Sequence, residues 1–237
     1  MTITEAALSP TAAGFVDELI GTASRVLRGL RETGTTTAYG TVGIYERIPG
    51  EEILVLINDR GPFGQDEPLE ALVVGFDGTV YQGDAARGGG VHRYRRIFES
   101  HDDVTTVVHV HSPHLGAWAQ THRTLPINYV PVQRFNLVRE IPVYVDRTQG
   151  EDEFILEILA KDRDHFATLE ANGGSTVWGR SGLLRTAEDI VLLEEGARLQ
   201  ILAEALGGSN PFGPGVLVQQ FKMSGLTDRA RHKGLLP

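Results

Sequence analysis

The segment Thr105-Thr106-Val107-Val108-His109-Val110-His111-Ser112-Pro113-His114 decides how the rest of the chain is read. Val107 and Val108 are β-branched and suit a buried strand. Side chains two residues apart on a strand share a face, so His109 and His111 project side by side. Ser112-Pro113 then opens a helix, with proline in the first turn, where a missing N–H costs least. Neutral imidazole is a common ligand for Zn, Fe, Cu and Ni, so two rings on one face make half of a metal site. The same spacing also describes two surface histidines on a half-exposed strand, and spacing alone leaves both readings open.

Upstream of this segment, the pattern predicts a helix from about Val91 to Ser100, preceded by the glycine junction Gly88-Gly89-Gly90. Further back, Leu69–Phe76 and Thr79–Asp84 form a hairpin about the strong turn signal Asp77-Gly78. Glu52–Asn58 reads as a buried strand paired with Ala38–Tyr45 across the turn Glu46–Gly50. Phe15, Leu19, Ile20, Ala23, Val26, Leu27 and Leu30 recur at the helical period, giving an amphipathic helix over 11–32. Residues 1–10 read as a disordered leader.

Downstream, a helix is expected from Pro113 to about Thr121, short strands at 125–129 and 141–145, and a helix over 150–162. Ser175–Gly179 and Gly182–Arg185 read as strands paired around a tight turn. Thr186-Ala187-Glu188-Asp189 carries a hydroxyl with an acid three residues on, a capping-box pattern for a helix reaching Leu206. Residues 207–237 are rich in glycine and proline and read as an extended tail, strand-like only over Val216–Met223. With no internal repeat in 11–206, that span is read as one α/β domain: a mainly antiparallel central sheet with helices on both faces.

Composition narrows the function. A net charge of −9 with no basic face argues against nucleic acid or an anionic membrane as partner. No run approaches the ~20 apolar residues of a membrane helix, and the start Met1-Thr2-Ile3-Thr4-Glu5 lacks signal-peptide character, so a cytoplasmic protein is expected. The chain has no cysteine, so any metal must be held by His, Asp or Glu.

Several stretches, in this order and at these spacings, resemble the class II aldolase/adducin family. They are Gly40-Thr41-Val42-Gly43, Leu69–Val74 with Asp77-Gly78, the helix before Asp102-Asp103, Val107–Pro113, Leu125–Tyr129, and Gly182-Leu183-Leu184 running into Glu188. The resemblance spans 11–206 and implies an α/β/α fold and a homotetramer with pockets at subunit interfaces. It also implies a divalent metal, usually Zn, held by three histidines, with a glutamate as acid/base and a tyrosine from a neighbouring subunit as proton donor. The metal polarises a carbonyl while the carboxylate moves protons. His109 and His111 carry over as ligands, and Tyr129 as the tyrosine.

The departures are as informative. Ser181, directly before Gly182-Leu183, stands where the resemblance expects the third histidine. Gly90 stands where it expects the glutamate, Gly88-Gly89 where it expects serines, and Arg60 where another loop usually carries a phosphate-binding serine. His114 and Arg60 are candidate substrate contacts, since a guanidinium fork suits carboxylates as well as phosphates. His92 is a further candidate for proton work, and Arg87 and Arg180 flank the inferred pocket. A carboxylate joining His109 and His111 would make a two-His-one-carboxylate set that suits Fe(II). Three readings follow. The first is a metal-dependent lyase acting on a small carbonyl or carboxylate compound by C–C cleavage or decarboxylation. The second is a non-heme iron oxygenase on the same fold in a secondary-metabolite pathway. The third is a non-catalytic binding protein like the adducin head.

Overall fold

The structure is a computed structural model and describes residues 7–84 and 93–237. Its strands are β1 (Val42–Arg47), β2 (Ile53–Asn58), β3 (Ala71–Gly75), β4 (Val80–Gln82), β5 (Thr106–Val110), β6 (Leu125–Pro126), β7 (Glu140–Ile141), β8 (Val143–Tyr144), β9 (Ala167–Glu170) and β10 (Ser175–Gly179). The helices are α1 (Pro10–Glu32), α2 (Arg95–Ser100), α3 (Pro113–Ala119), α4 (Val130–Phe135), α5 (Glu151–Lys161), α6 (Leu183–Ala205), α7 (Pro214–Met223) and α8 (Thr227–His232). Eight strands form one sheet in the order β4-β3-β2-β1-β5-β10-β9-β8. Every neighbouring pair is antiparallel except β8–β9.

β5 lies in the interior of this sheet, between β1 and β10, and alternation splits its residues between two cores. Val108 and Val110 join Ile44, Val55 and Val177 under α1, α3 and α6, which contribute Leu27, Leu30, Leu115, Ile190 and Leu193. Val107 joins Tyr45, Leu54 and Trp178 on the other face, under Ile97 and Phe98 of α2 and Ile155 and Leu159 of α5. Each fully buried side chain of this kind contributes ~1.5–3 kcal/mol of transfer free energy. The mainly antiparallel α/β/α architecture expected from the pattern is the one observed.

Four local expectations are corrected. Gly182–Arg185 is not a strand: Gly182 has φ +83° and caps α6, which starts at Leu183. β10 pairs instead with β5 and β9, so its hairpin turn lies before it, at Asn172-Gly173-Gly174. Thr186 is buried and donates to Gly182 O at 3.1 Å inside the first turns of α6, so it is no cap. Val216–Met223 lies in helix α7, because Leu217 and Phe221, four apart, share one face. The tail read as extended therefore carries α7 and α8, and Phe221, Ala230 and Leu236 bury against Leu137.

Other boundaries shift less. Residues 141–145 divide at Pro142, which has no N–H for a ladder: Ile141 pairs with β6, while Val143 and Tyr144 pair with β9. At the N-terminus, Ser9 Oγ accepts from Ala12 N at 3.1 Å and caps α1. Residues 1–6 of the expected leader, Arg87, Gly88-Gly89-Gly90, His92 and the start of the helix expected from Val91 lie outside the described residues.

Candidate metal centre

His109 and His111 do share a face at the C-terminal end of β5, with ring centroids 5.3 Å apart. The backbone on either side is pinned: His111 N donates to Thr41 O (3.0 Å) and His111 O accepts from Thr37 N (2.9 Å). Directly opposite His109 on β1 is Gly43, and opposite it on β10 is Thr176. The missing side chain at Gly43 leaves one flank of His109 open, and a cleft of about 390 Å³ forms there. Its walls include Thr41, Tyr45, Asn58, Arg60, Arg93 and His109.

The third donor comes from β9. Thr168 pairs with Thr176 and so faces the His109 side of the sheet; Glu170, two residues on, does the same. Ligand atoms of His109, His111 and Glu170 all lie within 4.8 Å of one another. Glu170 Oε2 is 3.8 Å from His109 Nε2. That separation is too long for a hydrogen bond, yet two donors each ~2.0–2.2 Å from one shared cation can span it. Glu170 Oε1 faces two guanidiniums, Arg147 at 3.2 Å and Arg93 at 3.4 Å, so Oε2 is the oxygen aimed at the imidazoles. The chemistry of the set, two neutral nitrogens and one carboxylate, fits a divalent ion of the Zn or Fe(II) kind.

Gly173 explains how this carboxylate comes to lie here. A Cβ at Gly173 would sit 2.5 Å from Glu170 Oε2. Positions 170 and 173 thus aim at the same space, and glycine at one admits the carboxylate from the other. Ser181 cannot serve as a ligand. Thr176 pairs with His109 but Gly179 pairs with Thr106, so the chain has run to the opposite end of β5 before Ser181 is reached. There Gly182 N donates to Thr105 Oγ1 at 3.0 Å.

A buried polar network backs the histidines. Glu151, in the first turn of α5 and 4% exposed, accepts from Tyr94 Oη (2.7 Å), Thr176 Oγ1 (2.5 Å) and Arg93 (Nε 2.9 Å, a terminal nitrogen 2.6 Å). His109 Nδ1 lies 3.0 Å from Thr176 Oγ1 and 3.3 Å from Tyr94 Oη. Burial pulls the His109 imidazolium down to about 4, with the Glu151 charge opposing that shift, so the ring is neutral and competent as a ligand at neutral pH. Burial holds the Tyr94 phenol well above its ordinary value, and Tyr45, packed edge-on against it at 4.9 Å, is pushed up to about 12.

The remaining candidates divide between the cleft and other parts of the molecule. Arg60 lines the same cleft as His109 and is braced by Glu67 (2.6 Å) and Glu70 (3.1 Å). His114 Nδ1 is 2.7 Å from Glu194 Oε1, whose carboxylate also accepts from the His114 and Leu115 backbone N–H groups and so caps α3 from α6. Tyr129 Oη donates to Glu195 Oε2 at 2.7 Å, so within one chain it is committed to α6 rather than to the imidazole pair. Arg180 pairs with Asp103 at 2.6 Å. Sequence reading missed Glu170, Glu151, Tyr94, Thr176, Arg93 and Arg147. The signal for Glu170 was present: Asn172-Gly173 is a hairpin turn pair, and Thr168 and Glu170 alternate before it.

An α/β/α protein with a two-histidine, one-carboxylate donor set beside an open cleft is thus defined by its own geometry. The pattern of the Class II Aldolase and Adducin N-terminal domain matches residues 22–201, and the chain belongs to that family. Among solved structures it is similar to an L-fuculose 1-phosphate aldolase (16% identity, TM-score 0.71, covering 92% of this chain and 97% of that one). It is also similar to YgbL from Escherichia coli, named for three alternative activities, aldolase, epimerase or decarboxylase (20% identity, TM-score 0.66, 87% and 99% covered). A third is an aldolase II superfamily protein from Pseudomonas syringae (18% identity, TM-score 0.67, 96% and 92% covered). At these identities the likeness is one of fold. Comparison with curated protein sequences gives no match. No helix among the described residues is long and apolar enough to cross a membrane.

Proposed function

We propose that this chain is a metal-dependent lyase of the class II aldolase type, cleaving or decarboxylating a small carbonyl or carboxylate compound rather than a standard sugar phosphate. The observation that carries the reading is the convergence of His109, His111 and Glu170 donor atoms within 4.8 Å beside the cleft. A divalent ion held there supplies Lewis-acid polarisation of a substrate carbonyl. The chain's own residues do the rest. Arg93, braced by Glu151 and Glu170, lines the cleft beside His109 and orients an anionic group of the substrate. Arg60 offers a second guanidinium on the same wall, in the position where relatives of this type are expected to use a serine for phosphate. With glycine at 88 and 89 and arginine at 60 where the resemblance expects serines, the anion proposed is a carboxylate, which a guanidinium fork grips as well as it does a phosphate. Gly90 brings no acid to the expected acid/base position, so proton delivery falls to Tyr129, acting across a subunit boundary in a cytoplasmic homotetramer. His114 serves as a further substrate contact through Nε2, its Nδ1 being tied to Glu194.

A second reading is favoured by one specific observation. Two histidines and one carboxylate also make the facial set of non-heme Fe(II) oxygenases. Elemental analysis of protein purified without chelator separates the two. Zn, with turnover of a panel of β-hydroxy and β-keto carboxylates, supports the lyase. Fe with substrate-dependent O₂ uptake supports the oxygenase. Absence of metal under metal-replete conditions overturns both and leaves a binding protein of the adducin-head kind. A monomer in size-exclusion chromatography removes the role given to Tyr129.

A further inference from the structure

We propose that Glu151 is a positioning residue that fixes the tautomer of His109, leaving the Nε2 lone pair aimed at Glu170. Arg93 places two N–H groups on Glu151 Oε2, at 2.9 and 2.6 Å, which holds the side chain as a carboxylate that can only accept. Tyr94 Oη and Thr176 Oγ1 each have one hydrogen, and each lies within hydrogen-bond distance of a Glu151 oxygen, at 2.7 and 2.5 Å. Both hydrogens are therefore spent on Glu151. The two hydroxyl oxygens, 3.1 Å apart, then have only lone pairs to offer.

His109 Nδ1 faces both of those oxygens, at 3.0 and 3.3 Å. A bare Nδ1 there would set three lone pairs against one another in a fully buried pocket, since Tyr94 and Thr176 are both 0% exposed. Nδ1 must carry the proton, shared between the two oxygens. In the neutral ring Nε2 is then unprotonated, and it is the nitrogen 3.8 Å from Glu170 Oε2. Two electron-rich atoms face each other with no hydrogen between them, an arrangement relieved when a cation enters. The relay Glu151→Tyr94/Thr176→His109 thus presents the ligand lone pair before any metal arrives. An outer partner that orients a ligating histidine in this way typically changes metal affinity ~10–100-fold when lost.

The consequence for metal affinity rests on the metal reading above; the tautomer itself does not. The test is long-range ¹H–¹⁵N NMR of the metal-free full chain, with His109 assigned by its loss in His109→Gln, together with Co(II) and Zn(II) titration. Wild-type protein is expected to show the Nδ1–H form. In Glu151→Gln the amide donates to one hydroxyl, frees that hydroxyl's hydrogen for Nδ1, and shifts His109 to the Nε2–H form, with metal affinity falling about 10–100-fold. Thr176→Val is expected to weaken metal binding and Thr176→Ser to restore it, a rescue that a purely structural role would not require. An Nε2–H ring in the wild type overturns the proposal even if the Glu151 variant does not fold. So does a Glu151→Gln protein that keeps the Nδ1–H ring and unchanged affinity. An Nδ1–H wild type that takes up no metal sustains the relay and removes the metal reading instead.

Discussion

Two glutamates are buried at opposite ends of the central strands, and their surroundings could hardly differ more. Glu151, beside His109, accepts from a guanidinium and two hydroxyls. Glu46 pairs in register with Thr106 at the other end of β5 and is also 4% exposed, yet its Oε2 has no hydrogen-bond partner among the described residues. Burial pushes the Glu46 carboxyl up to about 8, with the Thr106 hydroxyl opposing but not cancelling it. Donors are thus concentrated where His109 has to be oriented. At the far end an acid is left to lose its charge, the usual outcome when burial is not offset by hydrogen bonds.

The largest effect is expected at the histidine end. His109→Ala with His111→Ala should reduce bound metal from stoichiometric to background in elemental analysis, with loss of any thermal stabilisation by added Zn(II). At a ligand concentration 100 times Kd that stabilisation is about 2.7 kcal/mol. Retention of metal by the double variant would mean the site lies elsewhere.

Next in size, Glu170→Ala should weaken metal binding more than the ~10–100-fold typical of an outer partner. Glu170→Ala combined with Gly173→His should recover part of it, because a side chain at 173 enters the space Glu170 Oε2 occupies, 2.5 Å from the added Cβ. Gly173→Ala alone should weaken binding by crowding that carboxylate. If the double variant binds no better than Glu170→Ala in metal titrations, positions 170 and 173 do not share the site.

At the other end the expected effect is on stability and depends on pH. The folded-state value of Glu46 is raised from 4.5 to about 8. Its protonated form therefore contributes stability that is fully present below 4.5 and is lost as pH rises through 8. Glu46→Gln removes that slope. Urea unfolding should show the variant close to wild type near about pH 5 and ahead of it by on the order of a few kcal/mol near about pH 9. A constant difference across that range would contradict the burial argument. Smaller again, Glu194→Ala should cost ~1–3 kcal/mol by uncapping the His114 and Leu115 N–H groups, and Tyr129→Phe only about 0.5–1.5 kcal/mol or less for one half-exposed hydrogen bond. Neither should alter metal content; a change would tie α6 to the metal centre.

Much of the fold was legible because its signals are local. The α1 stripe, the Asp77-Gly78 hairpin and the β5 alternation each depend on residues within one element, and each stands in the structure. The failures were failures of pairing. The local pattern gives β10 a partner after it in the chain, around Ser181, whereas its partner lies before it, across Asn172-Gly173-Gly174. That one error hid β9 and, with it, Glu170.

The sequence by itself determined that His109 and His111 share a face, because alternation along an extended backbone is a property of two neighbouring residues and needs nothing else. Only the tertiary structure decided what stands beside them. Glu170 arrives on a hairpin, Glu151 on the first turn of α5, and Tyr94 and Arg93 just before α2. Their convergence depends on which strands pair and which helices cover that face. Those are contacts between distant parts of the chain, won by burial of two cores and not written in any local period.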